Sequence, residues 1–177
     1  APLEVEVGSG KGLFLRCAAE AVADVNYLGI EITQKFARFA AAGLARRGLG
    51  NAVVVAGDAL RVFAEVLPSE AIRAVHVYFP DPWWKKRHRR RRVMRDSFVR
   101  DVQRVLEPGG TLHFWTDVEE YFTTTLALLA EQTRLEGPLQ VPERPAENDL
   151  DYRTHFERRM RLHGEAVYRS QFRKPNA

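Results

Sequence analysis

The sequence predicts a doubly wound α/β sheet of the Rossmann-like class, mostly parallel, with an antiparallel C-terminal edge. Three observations predict it. Strand-like and helix-like segments alternate four to five times with short joints. The strand segments are apolar runs without strict alternation, as expected where helices cover both faces of a parallel sheet. Glycines and carboxylates collect just after the predicted strands, at the edge where such sheets hold ligands.

Residues 3 to 7, LEVEV, read as a first strand entering a glycine turn. Residues 12 to 22 carry apolar groups at Leu13, Phe14, Cys17 and Ala18, a helical spacing. Residues 26 to 32 form a second strand. Residues 35 to 47 form a helix stopped near Gly48 and Gly50. Residues 52 to 56, AVVVA, give a third strand. A short helix over 59 to 67 ends at Pro68, and residues 74 to 79, AVHVYF, give the fourth strand. Residues 96 to 106 are helical in pattern until Pro108, Gly109 and Gly110 break them. Residues 111 to 115 make a fifth strand, and residues 119 to 131 another helix. Residues 138 to 155 hold three prolines and many polar groups and read as a long loop. Residues 156 to 172 are expected to add a hairpin or two short strands at the sheet edge. No internal repeat or linker divides the 177 residues, so one domain over 1 to 177 is expected. A first residue that already leads into a strand points to a segment ahead of it.

Composition narrows the function. The chain is 45% hydrophobic and 28% charged, as in a water-soluble globule, and has no apolar run of eighteen residues for a membrane span. Its single cysteine, Cys17, forms no internal disulfide, and no secretory leader is present, which suits a cytoplasmic setting. The five histidines lack ligand spacing, so no metal is expected. Nothing calls for an obligate protein partner.

The net charge of +4 conceals an asymmetry. Residues 85 to 95, KKRHRRRRVMR, hold eight basic residues and no acid; the remaining chain has 19 basic and 23 acidic residues. Like charges this dense repel one another. A polyanion relieves that repulsion and releases its counterions, so this segment is expected to contact nucleic acid with strong salt dependence.

The turn Glu6-Val7-Gly8-Ser9-Gly10-Lys11-Gly12 follows the first strand. Gly8 suits a tight turn, Gly10 a close backbone approach, and the helix start beyond Gly12 offers free N–H groups. A dinucleotide fingerprint requires glycine at position 13, which is Leu13, and a phosphate-binding loop requires Ser or Thr after Lys11, which is Gly12. The turn therefore suits a nucleoside without a pyrophosphate. Glu31 closes the second strand and can accept from ribose hydroxyls. Asp58 follows the third strand and either accepts from an adenine amine or caps the next helix. Glu6 stands near the place for a cationic amine. An acid-lined pocket of this kind fits S-adenosylmethionine and disfavours NAD.

After the fourth strand, Pro80 and Pro82 restrict the backbone around Asp81, which suits a catalytic or orienting carboxylate. Trp83 and Trp84 follow, one expected in the core and the other near the substrate. Asp117 lies beyond the fifth strand at the same edge. The late segment Thr154-His155-Phe156-Glu157-Arg158-Arg159 adds a hydroxyl and another carboxylate. Carboxylates here can accept from the N1–H and amine of a guanine, leaving its N7 free.

The run PDPWWKKRHRRRR at 80 to 92 resembles the signature of the bacterial tRNA (guanine-N7-)-methyltransferase family, P-D-P-W-x-K-K-x-H-x-K-R-R. The Glu6–Gly12 turn, Gly29-Ile30-Glu31, Thr116-Asp117 and Thr154 to Arg159 are similar to further motifs of that family. The resemblance covers essentially the whole chain, except that the family's basic N-terminal arm is missing. It implies a Rossmann-like methyltransferase that uses S-adenosylmethionine, yields S-adenosylhomocysteine, and acts on the variable-loop guanosine of tRNA. It further implies that Glu6, Gly8, Gly10, Gly12, Glu31, Asp58 and Asp81 hold the cofactor and that Asp81 is catalytic. Lys85, Asp117, Thr154, Phe156 and Glu157 match tRNA-contacting or guanine-contacting positions. Lys86, Arg87, Arg89, Arg90, Arg91 and Arg92 are expected to follow the tRNA backbone. Two other readings stand beside this one: a methyltransferase of another RNA, and a non-catalytic RNA-binding module of the same fold.

Overall fold

The computed structural model describes residues 1–141 and 154–176, with the side chains of His155 and Phe156 outside that description. The chain runs β1 (Leu3–Val7), α1 (Leu13–Ala21), β2 (Asn26–Glu31), α2 (Gln34–Arg46), β3 (Ala52–Ala56) and α3 (Ala59–Arg61), which continues as a π-helical turn over Val62–Val66. Next come β4 (Ile72–Tyr78), a 3-10 segment (Lys86–Arg91), α4 (Asp96–Val105), β5 (Leu106–Thr116) and α5 (Glu119–Gln132). β6 (Glu136–Leu139), α6 (His155–Leu162) and β7 (Tyr168–Arg173) complete it.

Among the described residues, seven strands form one sheet in the order β3-β2-β1-β4-β5-β7-β6. β1 to β5 are mutually parallel, while β7 pairs antiparallel with both β5 and β6. The predicted class and its antiparallel edge are both present. The strand order reverses between β1 and β4, so a crevice opens there beyond the carboxyl ends.

Period-two geometry sorts the strand side chains onto two faces. Val5, Val7, Val75, Val77, Leu112 and Phe114 pack with Phe63, Phe98, Val99 and Val102 on one face. Each such buried side chain contributes about 1.5–3 kcal/mol. α4 supplies Phe98, Val99, Val102 and Val105 at helical spacing to this layer. The other face carries Tyr27, Tyr78 and Trp115, which pack with Phe14, Leu15 and Leu44 of α1 and α2. Gly12 brings these two helices together: it has φ +74°, and a Cβ there would meet the Ala40 Cβ at 2.8 Å.

This second face also holds a polar chain that the apolar pattern did not reveal. The Glu4 carboxylate pairs with Arg73 and lies 2.8 Å from His76 Nε2, and His76 Nδ1 lies 2.9 Å from the Tyr78 hydroxyl. The His76 and His113 rings stack at 4.9 Å. These contacts hold Glu4 down to about 2 against the opposing effect of its burial.

Four expectations need correction. β3 is an edge strand whose Val53 is 56% exposed, not a strand covered on both faces. The helix expected over 59 to 67 keeps only three α residues before its π turn. β5 begins at Leu106 because its pairing with β4 slips between Ile72 and Ala74, and Gly109, at φ +77°, turns within the slip. Finally, residues 156 to 172 do not form a hairpin. Thr154 Oγ1 accepts from the Glu157 N–H at 3.0 Å, an N-cap that starts α6. The partner of β7 instead comes from β6, upstream of the loop. Of that predicted loop, residues 142 to 153 lie outside the described residues.

Candidate functional site

A cavity of about 670 Å³ opens at the reversal point. β1 contributes Val7 to it, and Gly8 and Gly10 follow in the turn. β2 contributes Ile30 and Glu31. Asp58 enters after β3, and Tyr78 to Asp81 enter after β4. Glu31, Asp58 and Asp81 thus share one cleft, as their placement on three strand ends predicted.

Glu31 is buried and organises the glycine turn. Its two carboxylate oxygens accept from the Gly10 and Thr33 N–H groups, each at 2.8 Å. A carboxylate has about four acceptor directions, so each oxygen keeps one for a ligand hydroxyl. Gly8 and Gly10 adopt φ +75° and +52°, and the space beside their Cα atoms is open for 4 Å. Gly12 does not line the cavity; its role is the helix contact with Ala40. Asp58 Oδ1 accepts from Leu60 N–H at 2.9 Å, so Asp58 is a helix cap and also a cavity wall, with Oδ2 left to a ligand.

Glu6 lies fully buried beneath the turn, with Oε2 lacking a hydrogen-bond partner among the described residues. Burial and the charge of Glu31 push its carboxyl up to about 8. Its folded pKa thus exceeds its ordinary value of 4.5. The folded state then binds the extra proton between these values, and stability falls as pH rises through that window. Glu6→Gln is therefore expected to match the parent protein near pH 4.5 and to be more stable above pH 8, by on the order of a few kcal/mol. Thermal melting across pH checks this; equal melting temperatures at pH 9 would contradict it.

Asp81 is exposed in the segment after β4, and its backbone surroundings are strained. Phe79 and Trp83, neither of them glycine, stand at φ +49° and +46° on either side of the Pro80-Asp81-Pro82 unit. Such residues cost about 1–3 kcal/mol each and persist only where neighbours enforce them. Here Phe79 N–H donates to Trp115 O at 2.8 Å, and Arg92 Nε donates to Pro82 O at 2.7 Å.

Arg92 departs from the expectation of a phosphate contact. It is 7% exposed, pairs with Glu120 at 2.7 Å and lies over the Tyr121 ring at 4.3 Å. Its guanidinium ties the loop after β4 to α5, and desolvating that grip leaves it no face for RNA. Its hydrogen bond draws Glu120 below the usual carboxylate range. Lys85, Lys86, Arg87, Arg89, Arg90 and Arg91 are exposed, as expected of that segment.

The cationic segment is nevertheless not a free arm. It winds as a 3-10 turn, and Arg90, Arg91 and Arg95 join the lining of the large cavity. A second cavity of about 530 Å³ adjoins it, lined by Asp81, Pro82, Trp83, Trp84, Lys85 and His88. Neither tryptophan is in the core, contrary to expectation: Trp83 is half-buried between the cavities, and Trp84 is 68% exposed.

Asp117 follows β5 at the same sheet edge but lines neither cavity. Glu157 is buried, bonding Arg161 at 3.5 Å and Arg169 at 3.3 Å, and Thr154 caps its helix. Arg169 lies over the Trp115 ring at 5.0 Å. These contacts give Thr154 and Glu157 a part in fixing α6 against β7. Phe156 lies outside the described side chains. No cluster of metal-ligating side chains occurs among the described residues. No described helix is long and apolar enough to cross a membrane.

Comparison with known proteins places these features in context. Residues 1–170 match the family described as "Putative methyltransferase". A protein of Rhodopirellula baltica named tRNA (guanine-N(7)-)-methyltransferase is 50% identical, the match covering 98% of this chain and 66% of that protein. A protein of the same name from Nitrosococcus oceani is 34% identical, with 96% of this chain and 70% of that protein covered. The chain thus spans about two thirds of the length of these relatives. Among solved structures, a SAM-dependent methyltransferase from Aquifex aeolicus superposes with a TM-score of 0.65 at 13% identity, over 98% of this chain and 82% of the other. A SAM-dependent O-methyltransferase from Thermotoga maritima gives 0.64 at 17% identity, over 99% and 60%. The fold is therefore that of S-adenosylmethionine-dependent methyltransferases.

Proposed function

From the premise that this chain belongs to the methyltransferase family its residues 1–170 match, we propose that it transfers a methyl group from S-adenosylmethionine to N7 of the variable-loop guanosine of tRNA. The observation that carries this reading is that Asp81 lines two adjoining cavities, one holding the glycine turn with Glu31 and Asp58, the other walled by Trp83, Trp84 and Lys85, with the cationic segment bordering both. One cavity suits the donor and the other the acceptor base.

The first cavity fits the donor on the structure's own terms. Each Glu31 oxygen keeps an acceptor direction for one hydroxyl of a ribose diol. Asp58 Oδ2 suits an adenine amine. Glu6 does not line this cavity, and with its carboxyl pushed up to about 8 it stands neutral near neutral pH, as a buried polar group close to Glu31 and not as a counter-charge for the ligand. Position 13, where a dinucleotide fingerprint has its third glycine, is Leu13, buried in α1.

When bound, S-adenosylmethionine supplies an electrophilic methyl on a sulfonium, which the N7 lone pair takes as sulfur keeps the electrons of the broken bond. No proton moves, so no strong general base is required. The residues have to align the acceptor with that methyl and stabilise the charge arriving on the purine. Asp81 is suited to both tasks, because its strained loop holds the carboxylate between the cavities. The exposed lysines and arginines from Lys85 to Arg91 suit phosphate contacts, which gives tRNA binding a strong salt dependence.

The test is methylation of unmodified tRNA by this chain, followed by nucleoside analysis and mapping of the modified position. 7-Methylguanosine in the variable loop is the expected product. Methylation confined to another RNA or another atom would replace this reading.

A further inference from the structure

Building on that reading, we propose that Trp83 is the platform on which the target guanine stacks, and that its indole face stabilises the positive charge the purine acquires. Trp83 and Asp81 are the two residues that line both cavities. The left-handed φ of Trp83 and the anchored Pro82 carbonyl fix where the ring stands. Its edge meets His88 at 90°, with centroids 6.0 Å apart.

The ring already holds a planar cation. The Arg91 guanidinium lies over the indole, 5.0 Å from its centroid. A guanidinium on an indole face is bound by the ring quadrupole and by stacking. A 7-methylguanine ring is likewise planar and cationic, whereas guanine is neutral. The transfer moves one positive charge from the donor sulfur to the purine, with N7 gaining the methyl carbon and no proton lost. The attraction of the indole for the stacked ring therefore grows along the reaction. An interaction stronger in the transition state than in the ground state raises turnover rather than affinity. Arg91 occupies the face until the base arrives. On displacement its fork of N–H donors becomes available to a tRNA phosphate, which couples RNA engagement to opening of the platform.

Other aromatic groups nearby do not stand between the two cavities: Trp84, 68% exposed, lines only the second, Phe36 and Phe79 line only the first, and Tyr78 and Trp115 are buried against each other.

The experiment measures binding of guanosine 5′-monophosphate and 7-methylguanosine 5′-monophosphate by calorimetry, alongside tRNA kinetics. The parent protein is expected to prefer the methylated nucleotide by roughly tenfold, from the strength of a partly desolvated cation–π contact. Trp83→Phe keeps a face and should retain most of that preference and of kcat. Trp83→Leu should lose the preference and lower kcat by about tenfold, with tRNA and S-adenosylmethionine affinities within about threefold of the parent. Arg91→Ala should bind the mononucleotides at least as tightly as the parent while binding tRNA more weakly. Equal or undetectable binding of both nucleotides by the parent would overturn the proposal. So would a Trp83→Leu protein that keeps both the preference and kcat. A parent protein that methylates N7 under either of those outcomes leaves the functional reading intact. One that leaves tRNA unmethylated overturns that reading, and the proposal with it.

Discussion

Asp81→Asn is expected to lower the rate of methyl transfer by about a hundredfold or more while raising the dissociation constant for S-adenosylmethionine by less than about tenfold. The magnitude is that of removing one preorganised electrostatic group from a reacting centre, about 3–4 kcal/mol. Asparagine keeps the size and one acceptor oxygen but not the charge. It therefore separates the electrostatic role from simple occupancy of space. On the proposed reading the carboxylate faces a ring that is neutral before transfer and cationic afterwards, so its attraction would be felt mainly at the transition state. The position of the carboxylate is enforced from both sides, by Phe79 and Trp83 at positive φ and by Arg92 holding the Pro82 carbonyl. Single-turnover rates on tRNA, measured with donor saturating, check the prediction. Parent-like turnover would remove Asp81 from the chemistry.

Glu31→Ala is expected to weaken S-adenosylmethionine binding by about a hundred- to ten-thousandfold, through loss of two charge-assisted hydrogen bonds of about 1.5–3 kcal/mol each. Two effects combine. The ribose hydroxyls lose their acceptors, and the Gly10 and Thr33 N–H groups lose theirs as well. The glycine turn is then no longer held in the shape that meets the ligand. Glu31→Gln offers one acceptor oxygen and should fall between the parent and Glu31→Ala. Calorimetry with S-adenosylmethionine and with S-adenosylhomocysteine reads this directly, because both carry the same ribose. A dissociation constant within threefold of the parent for Glu31→Ala would separate Glu31 from the donor site. Far-ultraviolet circular dichroism distinguishes a loosened turn from a protein that has lost its fold.

Much of the site was legible along the chain because parallel sheets bring consecutive strand ends to one edge. Glu31, Asp58 and Asp81 each follow a strand, so recognising the strands was enough to gather them in one cleft. Arg92 was not legible in the same way. In sequence it is the last of seven basic residues, indistinguishable from Arg89 to Arg91. In the fold it is the one drawn inward, because Glu120, Tyr121 and the Pro82 carbonyl converge on it from elements far apart in the chain. The helix at 155 to 162 was missed for a different reason. Its apolar content is low, and its signal was the Thr154 cap rather than hydrophobic periodicity.

The sequence by itself determined the strand-and-helix alternation, the sheet class, the glycine turn and the acidic residues at its edge. These follow from local periodicity, backbone restrictions and the handed geometry of parallel crossovers, all properties of short stretches of chain. Only the tertiary structure decided that β3 lies at an edge, that Gly12 serves packing, and that the cationic segment borders the cavity instead of standing clear. It also decided that Trp83 stands between the two cavities with Arg91 on its face. Each of these depends on which distant side chains meet, and a charge or a ring has no assigned neighbour until the chain has closed around it.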